Sequence, residues 1–147
     1  MKKALLTFAL GAALCLGMQA QEYMILTTVE SIVPGGLGRS RMIMENSDIN
    51  VDEFTTERTD GKKSNQGDVK RGEAKIDSFT ETKLLNFYSM VGINFQNIAS
   101  NDALVSDRLN KLAAEGWELK FVSSGVEADA GKADGVGIFI TRYIFTK

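Results

Sequence analysis

The chain has no histidine, one cysteine (Cys15) and one proline (Pro34) in 147 residues. Without histidine there is no Ser-His-Asp or Cys-His nucleophile, no imidazole metal ligand and no side chain that ordinarily titrates near neutrality. A lone cysteine forms no disulfide within the chain, so the fold depends on its core. Lys and Arg number 17 against 19 Asp and Glu, a formal charge of −2. With no basic excess to neutralise phosphates, the composition points away from nucleic acid as a partner. What is present is ordinary for a globular domain: 44% apolar and 24% charged residues, enough for one domain with a core of its own.

The first twenty residues read as an address. Lys2 and Lys3 precede an apolar run from Ala4 to Met18, and Ala20 offers a small residue before polar Gln21. The run is shorter than the roughly 20 residues that span a bilayer. The pattern predicts a secretory signal peptide over 1–20, cut between Ala20 and Gln21. Cys15 follows Leu14 and sits inside the apolar run, so it reads as part of the signal and not as a lipidation site. Loss of Lys2 and Lys3 would take the charge from −2 to −4 and leave a chain without cysteine or histidine, periplasmic or secreted, with no integral membrane segment.

Beyond the signal, residues 22–33 (EYMILTTVESIV) are apolar on both parities and predict a strand with neither face wet for much of its length. Pro34-Gly35-Gly36-Leu37-Gly38 breaks it, and Arg39 to Glu45 predicts a second strand, making a hairpin. Ten of the nineteen residues 57–75 are charged, and only Val69 and Ala74 are apolar. Such a stretch buries too little to offset its ordering entropy, and a mobile polar insertion is expected over about 46–77.

Ser78-Phe79-Thr80-Glu81 has capping-box spacing and predicts a short helix over 81–91; residues 93–98 alternate and suggest a brief extended segment. The clearest helix is 102–115. Asn101 is its expected N-cap, Gly116 its stop, and Val105, Leu109, Leu112 and Ala113 its apolar stripe. Strands are expected at 117–122, with Trp117, Leu119 and Phe121 on one face, and at 137–146, whose two apolar parities suit a central position. The expected fold is α+β: a single antiparallel sheet of about four strands with one main helix on a face, in the order β-β-α-β-β.

The C-terminal half carries a resemblance. The run Leu112-Ala113-Ala114-Glu115-Gly116-Trp117-Glu118-Leu119, then a strand, a loop and the closing Arg142-Tyr143-Ile144-Phe145, resembles the bacterial family termed domain of unknown function 4177. The starting strand around Tyr23 matches in kind. Residues 34–100 have no counterpart in short members of that family; Gly38-Arg39-Ser40-Arg41 and Val91-Gly92-Ile93-Asn94-Phe95 resemble an extended form found in exported Bacteroidetes proteins. The resemblance implies a fold and no activity or catalytic residue.

Candidate sites are few. Gly35 to Arg41 sets backbone N–H groups and the guanidiniums of Arg39 and Arg41 where an anion would bind, but the stretch lies between two strands and not before a helix. Asn46, Asp48, Asn50, Asp52 and Glu57 stand in a calcium-loop register, with Val51 where such a loop needs glycine. Glu127, Asp129 and Asp134 form a second acidic group. Arg142, alone in an apolar strand, suits a carboxylate contact or a snorkelling position. Trp117 suits a core anchor or a ligand platform. No catalytic residue, cofactor or metal site is assigned. The leading expectation is a non-enzymatic exported module of the cell envelope that binds an unidentified protein or envelope component, or assembles as a homo-oligomer. The alternative is binding of a small ligand or ion through the 35–41 hairpin or the acidic loops.

Overall fold

The computed structural model describes residues 20–33, 40–45, 49–127 and 137–147. The expected signal segment up to residue 19, the 34–39 turn with Arg39, and Asp129 and Asp134 lie outside them.

The chain builds β1 (Tyr23–Ser31), β2 (Arg41–Glu45), β3 (Phe79–Lys83), β4 (Tyr88–Ser89), β5 (Gly92–Ile93), α1 (Phe95–Ala114), β6 (Glu118–Glu127) and β7 (Ile138–Thr146). Five strands form one antiparallel sheet in the order β3-β2-β1-β7-β6, and β4 and β5 form a small separate hairpin. The α+β class and the single main helix are as expected. The sheet has one strand more than the four expected, because residues 79–83 extend along β2 instead of coiling. Phe79, Thr80 and Thr82 favour a pleated strand, and pairing Met42 with Thr82 and Met44 with Thr80 satisfies an otherwise open edge. The capping-box spacing at Ser78 therefore opens no helix.

The helix is also longer than expected. It starts seven residues earlier, after Asn94, whose side chain accepts from Asn97 N at 3.1 Å. Asn101, the expected cap, is buried inside the helix. Its carboxamide accepts from Leu85 N and donates to Leu85 O and to Glu30, at 2.7–2.9 Å. An N-cap side chain accepts from an N–H of its own helix; Asn101 instead bonds the crossing chain from β3. Residues 93–98 accordingly split between the end of β5 and the start of the helix.

The other end of α1 matches expectation. Gly116 has φ +92°, Gly116 N donates to Ala113 O and Trp117 N to Leu112 O, each at 3.0 Å. This paired closure of the last turn requires a left-handed residue, which glycine supplies without strain. Trp117 then turns back, half-buried, and packs like Val105 and Leu109 against the buried core, with Lys147 Nζ 5.8 Å from its ring centroid. Ala113 lies exposed, off the apolar stripe.

Leu26, Met42, Leu84, Leu112 and Phe145 form the buried core, flanked by Met24, Met44, Val105, Leu109, Trp117 and Tyr143. Every sheet residue in this set belongs to one face, the face α1 covers. Residues 84–87 are pinned to that assembly. Ser40 Oγ donates to Asn86 Oδ1 and accepts from Ser31 N, Asn86 Nδ2 donates to Val33 O, and Asn97 Nδ2 donates to Asn86 O. Between β2 and β3, residues 49–78 form two short 3-10 turns, Val51–Phe54 and Asn65–Asp68, capped by Asn50 and Ser64.

Candidate functional site on the open face of the sheet

Alternation puts Tyr23, Ile25, Thr27 and Val29 of β1 on the face away from α1. The register places Ile144, Arg142 and Ile140 of β7 opposite Ile25, Thr27 and Val29, and Ile43 and Arg41 of β2 opposite Thr27 and Val29. Phe121 and Ser123 of β6 continue the rows beyond Ile144 and Arg142. No described element lies over these rows. Tyr23 is 68% exposed, Ile25 49% and Phe121 60%. The expectation that β1 is dry on both faces therefore holds for the α1 side alone.

A bulge delivers Phe121 to this face. Leu119 pairs with Phe145 and Phe121 with Ile144, so Lys120 is the extra residue. One extra residue inverts the alternation, and Trp117, Leu119 and Phe121 do not share a face as their spacing predicts.

Arg41 and Arg142, separated by a hundred residues of chain, come onto the same open face, two strands apart, or about 10 Å between strand axes. Their partners differ. Arg41 Nη1 donates to Ser40 O at 2.8 Å, and its Nε lies 3.9 Å from Glu81 Oε2. Arg142 is exposed and has no ion pair among the described residues. It sits among Thr27, Ser123, Ile140 and Ile144, none of which offers it a carboxylate. At one end of the sheet an open cavity of about 550 Å³ is lined by Tyr23, Met24, Ile25, Thr27, Ile43, Glu45 and Trp117.

The other candidates fare differently. Within the Gly35–Arg41 stretch, Ser40 is buried and its hydroxyl is committed to Ser31 and Asn86, so it serves the fold and not an anion. Asn46 and Asp48 of the calcium register lie outside the described residues. Asn50 spends its side chain on Asp52 N at 3.1 Å, capping the first 3-10 turn. Among the described residues no three Asp, Glu, His or Cys gather as a metal site. Among those residues, too, no helix is long and apolar enough to cross a membrane.

Two titratable groups that the sequence did not single out stand on the α1 side. Burial pushes the Glu30 carboxyl above its ordinary value; the Asn101 hydrogen bond opposes this, and nearby Asp102 adds to it. Burial likewise raises the Tyr143 phenol, against a hydrogen bond with Thr28. These groups belong to the seam between helix and sheet. Periodicity placed Tyr143 in a strand but carried no signal for Glu30, whose environment depends on Asn101, 71 residues away. The exposed tip of the β4–β5 hairpin, Met90 and Val91, was also not anticipated; Gly92 at φ +122° allows the tight turn that presents it. In comparisons with known proteins, no family model, curated protein or solved structure matches the chain.

Proposed function

We propose that this protein is a non-enzymatic binding module of the cell envelope that docks a partner protein or envelope component on the open face of its sheet. One observation carries the reading: a contiguous apolar surface from Tyr23 and Ile25 through Ile144 to Phe121, left uncovered by every described element, with Arg142, unpaired among the described residues, beside it, opposite the face on which α1 builds the core. Large exposed apolar patches with a polar border mark interaction surfaces. Arg142 adds a directional contact for a carboxylate within that surface. The Lys2-Lys3 start, the short apolar run and Ala20 support export with cleavage before Gln21. The Gly116-Trp117 corner and the closing strand support kinship with the domain of unknown function 4177 family in its extended form.

A photo-reactive residue placed at position 25 or 142, on the open face, tests this in the envelope of the native host. Discrete adducts are expected from both, and none from position 110 on the exposed side of α1. Equal labelling from position 110, or no adduct from the open face, would overturn it.

The cavity beside Trp117 favours a second reading, a small ligand held at the end of the sheet. Native mass measurement of the exported protein separates the two, since a retained ligand adds a fixed mass to the chain beginning at Gln21.

A further inference from the structure

The two edges of the sheet are built differently. The β3 edge is five residues long and carries Glu81 and Lys83, the short, charged construction that discourages further pairing. The β6 edge is ten residues long, and every residue in it is exposed. From Phe121 to Val126 it has no charge and no proline. Among the described residues β6 pairs only with β7, so its outer row of N–H and C=O groups is open.

We propose that β6 pairs antiparallel with β6 of a second copy, joining two five-stranded sheets into one. The register follows from symmetry. A two-fold axis perpendicular to the sheet preserves its faces, so each residue must oppose one of its own parity. The bulge at Lys120 ends regular alternation on one side, leaving Phe121–Glu127 as the bulge-free run, and the centre of that run is Ser124. With the axis at Ser124, Val122 opposes Val126 of the second copy, and the reverse, on the α1 side. Ser123 opposes Gly125 on the open side, so small residues fill the centre. Glu127 opposes Phe121 and falls beside Lys120 of the second copy, whose ammonium pairs with Glu118 of its own strand at 2.6 Å and would be shared between the two carboxylates. Val122 and Val126 are 46% and 62% exposed although they share the face that α1 covers further along the sheet, so the helix leaves them for another partner. A single strand pair lies at the small end of specific interfaces, so association is expected in the micromolar range, on the order of 10⁻⁶ to 10⁻⁵ M.

This inference goes beyond the docking reading, since it uses the strand edge and not the surface around Ile25 and Arg142. Sedimentation of the exported protein across concentrations tests it, with two double variants reading the register. V122K/V126K sets lysine against lysine at both valine pairs and is expected to weaken association at least tenfold. V122K/V126E sets lysine against glutamate at both pairs and is expected to restore it. Both sites are exposed, and an unchanged circular dichroism spectrum confirms that the fold survives. A wild-type chain that stays monomeric at several hundred micromolar overturns the proposal while leaving the adducts at positions 25 and 142 intact. Equal behaviour of the two double variants overturns the register and with it the two-fold pairing.

Discussion

Ile25 and Leu26 are neighbours on β1, nearly equal in volume and hydropathy, yet Leu26 is fully buried and Ile25 is 49% exposed. The difference lies in what faces them. Leu26 meets α1 and the core around Phe145 and Met42, while Ile25 meets, among the described residues, its neighbours within the sheet. A buried leucine contributes about 1.5–3 kcal/mol of transfer free energy; a half-exposed isoleucine on a bare face contributes much less. Composition alone would give both the same role. The covered face makes the fold, and the open face keeps apolar surface that folding of one chain does not consume.

The largest effects are expected on the covered face. Leu26→Ala should destabilise the protein by roughly 2–5 kcal/mol in urea unfolding, through lost burial and the cavity it leaves. Asn101→Leu should cost about 2 kcal/mol. It fills the site with an apolar side chain of similar size but strands the Leu85 N–H and C=O groups that Asn101 now satisfies.

A smaller effect is expected at Glu30. Its folded-state pKa lies above the ordinary 4.5, so the folded protein holds this proton more tightly than the unfolded chain. The associated stability is present below the unfolded value and is lost as pH rises through the folded one. Glu30→Gln resembles the protonated form and still accepts from Asn101 Nδ2. Between pH 4 and pH 7 its urea midpoint should fall less than that of the wild type. At pH 7 it should gain no more than about 0.5 kcal/mol, because the group is half-exposed.

How much of this was legible follows from the range of the interactions involved. The end of α1 is local: Gly116 and Trp117 announce the turn within two residues, and the turn forms as read. β1 and β7 are also legible, because long runs of β-branched and aromatic residues suit strands flanked on both sides. The start of α1 is not. Asn94 and Asn101 are equally good caps by sequence, and the choice depends on a peptide group at Leu85 that the chain brings up from β3. The strand at 79–83, where the sequence predicts a helix from 81, is illegible for the same reason, since its strand character is set by an open edge on β2. At the candidate site, Arg41 and Arg142 were each identifiable as charges beside apolar runs. Their shared face depends on the order β2-β1-β7, which local pattern does not encode. The bulge at Lys120, which turns Phe121 onto that face, leaves no mark in the alternation of residues 117–122.

The separation of a folding face from a binding face is tested most directly by Ile25→Ala, measured by urea unfolding alongside Leu26→Ala. An isoleucine on an uncovered face is expected to cost less than about 1 kcal/mol on truncation, well below the loss at Leu26. A cost at Ile25 equal to that at Leu26 would mean that the isolated chain buries both faces, and would contradict the assignment of the open face to a partner.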